Sequence, residues 1–227
     1  MEIKDYQAFW EENERAFRFD GSSDRLPVDL FLNGDWICDY MQADCPRYYT
    51  EYEYQKQIRE SCSRVTEAEL GHRIKPAIDF GVVQDVSIYG GQFQCRPHAT
   101  PVMTHVIEKP EDIPELVQQM KKVNILDAGL VPVYLQWRDR IDRDYGVTLT
   151  YGDAIKGGAT TMAQLCGVTN FCTWIVTNPD EIHLLTECWM ETAIRYVDTM
   201  RAETGYTPGN IKKFSMMSDV TGLLSAP

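Results

Sequence analysis

The chain has 227 residues, 44% hydrophobic and 25% charged, which is ample for the core of one or two domains and excludes a disordered polypeptide. Its 22 basic and 34 acidic residues give a net charge of −12 with no local basic patch, which argues against nucleic acid and anionic membrane surfaces as partners. No apolar run reaches the roughly 18 to 20 residues that span a bilayer, the start Met1-Glu2-Ile3-Lys4-Asp5 lacks signal-peptide regions, and seven scattered cysteines fit reduced thiols; a cytoplasmic protein is expected.

In chain order, Asp5 to Arg18 sets Tyr6, Phe9, Trp10 and Phe17 on one stripe between acids, predicting an amphipathic helix. After the turn Gly21-Ser22-Ser23-Asp24, Arg25 to Phe31 reads as a first strand with Pro27 at its entry. This divides the chain into an N-terminal helical extension, residues 1–24, and a body, residues 25–227. Tyr48, Tyr49, Tyr52 and Tyr54 precede a predicted helix from Gln55 to Leu70. Val86 to Cys95 resembles a hairpin turning at Gly90-Gly91, although a strand and a loop would share these letters.

Lys109-Pro110-Glu111-Asp112-Ile113-Pro114 opens a helix expected to reach about Asp127. Pro132 opens another, with Tyr134, Trp137 and Ile141 at helical spacing and the charges from Arg138 to Asp144 mostly on the solvated face. Val147 to Tyr151 is β-branched and aromatic, Gly152 to Gly158 breaks it, and Ala159 to Leu165 starts a helical segment continuing to Gly205. Within that segment Asn178 as cap, Pro179 at the first position and Glu181 at the third mark the start of a long helix, with Ile182, Leu185, Trp189, Ala193, Tyr196 and Met200 on one side. Lys213 to Ser218 is then predicted as a short buried strand that would deliver Asp219 to its carboxyl end. Strand, turn, helix and strand make a βαβ unit, and chemistry in parallel α/β folds sits at the carboxyl ends of the strands.

The run Gly158-Ala159-Thr160-Thr161-Met162-Ala163, then Gly167, then Asn178-Pro179-Asp180-Glu181, and finally Ser218-Asp219-Val220-Thr221-Gly222-Leu223-Leu224-Ser225-Ala226-Pro227, resembles the uroporphyrinogen decarboxylase superfamily. The match is closest to its corrinoid-dependent methyltransferase branch, which includes the methyltransferases of anaerobic O-demethylation. It covers Arg25 to Pro227, more clearly after Val147. The resemblance implies an α/β fold, the N-terminal part of a (β/α)8 TIM-type barrel with extra N-terminal helices. About three of the eight barrel strands would lie here, near Val28, Leu149 and Met216. So incomplete a wall would need a C-terminal half, a second chain or a swapped copy to close it.

The implied activity is transfer of a methyl group between a methylated small molecule, such as an aryl methyl ether, and a corrinoid carried by a partner protein. Two alternatives stand beside it: uroporphyrinogen decarboxylation, and a non-catalytic remnant or interaction module. The decarboxylases hold an eight-fold carboxylate with an arginine-rich motif after the first strand, where this chain keeps only Arg47 as a clamp, beside Asp39 and Asp44, which repel anions. Asp79 in Ile78-Asp79-Phe80-Gly81 is either the nearest candidate for their catalytic aspartate or an ordinary loop acid.

The branch's zinc, held by a His-x-Cys pair and a distant Cys, has no match in this segment, so its ligands are expected beyond residue 227. Cys95-x-x-His98 is the one local metal-binding spacing, while Cys166, Cys172 and Cys188 read as small buried hydrophobes and His72 and His183 as surface or packing residues. By analogy Asp219 either accepts a substrate hydrogen bond, as the catalytic candidate, or caps the following turn. Thr160 and Thr161 sit where a helix N-terminus presents amides to a polar substrate group, or merely cap it. Trp36, Tyr48 and Tyr49 either line an aromatic substrate site or pack the core.

Overall fold

The computed structural model describes residues 5–28, 32–151 and 156–206, which form ten α-helices and one two-stranded sheet. Two compact units result: one takes the chain up to Gly81 together with Cys95–Thr100, the other Val82–Gln94 and the chain from Pro101 onward. The expected strands near Val28 and Leu149 are not strands in the described residues, and the one expected near Met216 lies outside them, as do Asp219 and residues 152–155 of the glycine turn.

In the first unit α1 (Tyr6–Ala16) starts at Asp5, whose Oδ1 accepts the Ala8 N–H at 3.0 Å. Its predicted stripe holds, with Trp10 Nε1 donating to the Leu70 carbonyl at 2.7 Å. Buried Asn13 explains why Arg25 to Val28 forms no strand. Its amide donates to the Val28 carbonyl at 2.8 Å and its Oδ1 accepts the Val28 N–H at 2.7 Å, so one side chain satisfies the backbone groups that a neighbouring strand would take. Helices α2 (Gly34–Tyr40), α3 (Cys45–Thr50) and α4 (Tyr52–Leu70) follow, and Gly71 ends α4 in the left-handed conformation, φ 61°. Ile37, Cys38, Cys45, Tyr48, Tyr49, Tyr52, Cys62 and Phe80 form this unit's core.

After the short α5 (Gln84–Ser87), strands β1 (Phe93–Arg96) and β2 (Ala99–Met103) form a hairpin. It reverses at Pro97-His98, with His98 at φ 55°, and not at Gly90-Gly91. The glycine pair instead leads into β1: Gln92 N–H donates to Thr104 Oγ1 at 2.8 Å and the Gln92 carbonyl accepts the Thr104 N–H at 3.0 Å.

Helix α6 (Ile113–Met120) stops well short of Asp127. Arg195 takes the carbonyls of Met120 and Val123 at 3.0 and 2.7 Å, and a separate 3₁₀ turn covers Ile125–Asp127. Helix α7 (Val131–Tyr145) buries Tyr134, Trp137 and Ile141 as expected, but Arg138 leaves the solvated face to donate to the Glu203 carbonyl at 3.0 Å. Val147 to Tyr151 has no partner strand among the described residues: Thr148 Oγ1 donates to Asp142 at 2.7 Å, and the Tyr151 N–H donates to Thr204 Oγ1 at 2.8 Å.

The helical segment expected from Ala159 to Gly205 holds three helices, α8 (Gly158–Cys166), α9 (Val168–Thr177) and α10 (Pro179–Thr204), the last starting at Pro179 as expected. Gly167 makes the first break with φ 86°, a conformation side chains resist. On α10 Ile182, Leu185, Ala193, Tyr196 and Met200 are buried and Trp189 is half-buried. Asn178 caps it by position only, because its Oδ1 accepts the Thr177 hydroxyl at 2.7 Å. No described helix is long and apolar enough to cross a membrane.

Candidate functional site

The first unit gathers its polar side chains around Asp79. Gln55, buried on α4, clamps the Asp79 backbone: its Oε1 accepts the Asp79 N–H at 3.0 Å and its Nε2 donates to the Asp79 carbonyl at 2.7 Å. The carboxylate accepts the Tyr48 hydroxyl at 3.2 Å and the Gly81 N–H at 2.8 Å. Arg59 stays 4.0 Å from Oδ2, its Nη1 donating to Tyr48 Oη at 3.1 Å. With its side chain 18% exposed, Asp79 is held above the usual carboxylate range by burial, against the pull of the Gly81 amide, Arg59 and Tyr48.

Gly34 closes the cluster. A Cβ there would lie 2.6 Å from Asp79 Oδ2 and 2.7 Å from Tyr48 Cε1, so only glycine lets α2 begin against the carboxylate. The Tyr49 hydroxyl is buried without a hydrogen-bond partner, as are Asp35 Oδ1 and Arg59 Nε. Burial pushes the Tyr48 and Tyr49 hydroxyls far above their ordinary range, so both keep their protons.

Of the residues singled out in the sequence, Tyr48 and Tyr49 reach this cluster, their rings edge to face at 5.0 Å. Arg47 does not: it is exposed, bonded to Glu51 at 2.9 and 3.0 Å and lying over the Tyr54 ring. Trp36 is 43% exposed and stacks on Tyr40. Thr160 and Thr161 lie in the first turn of α8, in the second unit, where Thr161 is buried and its hydroxyl has no partner. Gln55 and Arg59 bear no mark in the sequence, because a polar residue within a helix gives no local signal of what it will face.

Among the described residues no group of three or more His, Cys, Asp and Glu side chains is placed to hold a metal ion. The Cys95-x-x-His98 pair fits poorly. His98 Nδ1 is occupied by Asp39 at 2.8 Å, and burial pushes the Cys95 thiol up to about 11, away from the thiolate a metal requires. Cys166 and Cys188 are buried as expected, whereas Cys172 is exposed. His72 packs on Trp10 at 4.5 Å between ring centres, and His183 is exposed.

No protein-family model matches the chain, and no curated protein matches it either. Among solved structures, a methyltransferase from Methanosarcina mazei shares the fold with a TM-score of 0.53 and 18% sequence identity, over 86% of this chain and 55% of that one. The chain therefore spans little more than half the length of that protein, and at this identity the likeness is one of fold.

Proposed function

We propose that this chain is part of a methyltransferase of the uroporphyrinogen decarboxylase superfamily, moving a methyl group between a small methylated compound such as an aryl methyl ether and a corrinoid on a partner protein. The fold likeness to a methyltransferase over 86% of the chain carries the reading. The rest of a (β/α)8 barrel, closed by further chain, a second chain or a swapped copy, belongs to the same proposal. So does the zinc of the family, for which the described residues offer no fit.

The corrinoid accepts the methyl group when bound. What this chain supplies is a proton. Breaking the methyl–oxygen bond of an ether leaves an aryloxide, and a carboxyl that keeps its proton above the usual range is suited to neutralise it. Asp79 is that group: buried, fixed through its backbone by Gln55 and held by Tyr48 and Gly81. Reprotonation follows through the same carboxyl, which is 18% exposed and so in reach of water.

The test uses the full gene product containing this sequence, with cob(I)alamin as acceptor and a panel of aryl methyl ethers. Loss of the cob(I)alamin spectrum together with release of the free phenol is expected, slowed about 100-fold or more in Asp79→Asn. Decarboxylation of uroporphyrinogen without methyl transfer would move the reading to a decarboxylase, and neither activity would leave an interaction module.

A further inference from the structure

Within the second unit α5, α8 and α10 enclose a small pocket lined by Asp85, Ile88, Tyr89, Thr161, Trp189, Ala193 and Tyr196. Its polar groups are unequally satisfied. Tyr196 Oη accepts the Gln84 amide at 3.1 Å, and the Tyr89 hydroxyl is bonded to Thr192. Asp85 Oδ1 takes the Lys156 ammonium at 2.5 Å and the Val86 N–H at 3.0 Å, which fills it. Asp85 Oδ2 takes the Lys156 N–H at 3.0 Å, which leaves it a lone pair. The Thr161 hydroxyl, 2% exposed as a residue, has no hydrogen-bond partner among the described residues.

An unmade hydrogen bond at a buried hydroxyl is unfavourable, so a group that supplies it is favoured. The free space, about 10 Å³, admits one atom of water size and no more. The surrounding surface is aromatic: Tyr89, Tyr196 and the half-buried Trp189, whose indole is held against the start of α8 because Gly158 has no Cβ to displace it, one there falling 2.9 Å from Cε3. One atom that both donates and accepts, attached to a flat apolar body, meets all of these conditions.

We infer that this pocket is a hydroxyl-recognition subsite for a small phenol, whose O–H donates to Asp85 Oδ2 and accepts from Thr161 Oγ1 while its ring rests at the mouth against Trp189. The site stands on the pocket alone and does not depend on methyl transfer.

Calorimetric titration with phenol and with anisole, which keeps the ring but has no O–H to donate, tests it without any methyl acceptor present. Phenol is expected to bind at one site about tenfold or more tightly than anisole. Thr161→Val, nearly isosteric, should erase that preference and Thr161→Ser should keep it. Equal affinity for the two probes in the unaltered protein, or a preference that survives Thr161→Val in a folded variant, would overturn the assignment. Because the first comparison needs no substitution, it holds even if the valine variant fails to fold.

Discussion

Asp79 and Asp85 are both largely withdrawn from water, one in each unit, and they are stabilised by opposite means. Asp85 has a cation in contact, Lys156 at 2.5 Å, with side chains 16% and 11% exposed respectively. Asp79 has neutral donors, the Tyr48 hydroxyl and the Gly81 amide, while the Arg59 charge stays 4.0 Å away and is engaged with Tyr48. With Arg59 no closer than 4.0 Å, desolvation outweighs the pull of its charge and raises Asp79, the direction that suits a group acting as an acid.

Lys156→Met should break the comparison most visibly. Removing one member of a buried pair strands the other charge, with an expected cost of about 3 kcal/mol in urea unfolding. The double variant Lys156→Met with Asp85→Asn should recover part of that loss, because it no longer buries an unpaired charge. A loss below about 1 kcal/mol in the single variant would mean that Asp85 is as well served by neutral donors as Asp79 is.

The Asp79 side of the comparison is sharpened by pH. Its folded carboxyl lies above its unfolded value, so the native state binds the extra proton. The associated stability is fully present below the unfolded value, about 3.9, and is lost as pH rises through the folded one. Asp79→Asn removes this titration and leaves one acceptor oxygen, enough for the Gly81 amide or the Tyr48 hydroxyl but not for both. The variant should therefore match or exceed the unaltered protein by about 1 kcal/mol at neutral pH, with the gap closing below pH about 4. A deficit in the variant that opens as pH rises above about 4 would show that the carboxylate, not the acid, is the favoured native form.

The helices were legible because their signals are local. Apolar spacing and prolines located α7 and α10, and the stripes on both are buried except for half-buried Trp189. The strands were not, because a β-branched run needs a neighbour that sequence cannot guarantee. Val147 to Tyr151 finds Asp142 and Thr204 side chains in place of a ladder, and Val28 finds Asn13. The site was half legible for the same reason. Tyr48, Tyr49 and Asp79 stood out by composition and motif, whereas Gln55 and Arg59 acquire meaning only when α4 folds against them.

The smallest effects are expected at helix ends, where the two units differ again. Asp5→Ala removes the side-chain cap of α1, an exposed bond worth about 0.5–1 kcal/mol. Asn178→Ala stands at the cap of the much longer α10, where sequence rules favour asparagine just as strongly, yet its Oδ1 is turned to the Thr177 hydroxyl. It should cost less than Asp5→Ala in thermal unfolding, because no helical N–H loses a partner and the α10 start relies on Pro179 and the acids Asp180 and Glu181 instead. Equal losses at the two positions would require Asn178 to swing onto the helix in solution, and would restore to the sequence pattern the capping role that the Thr177 contact takes from it.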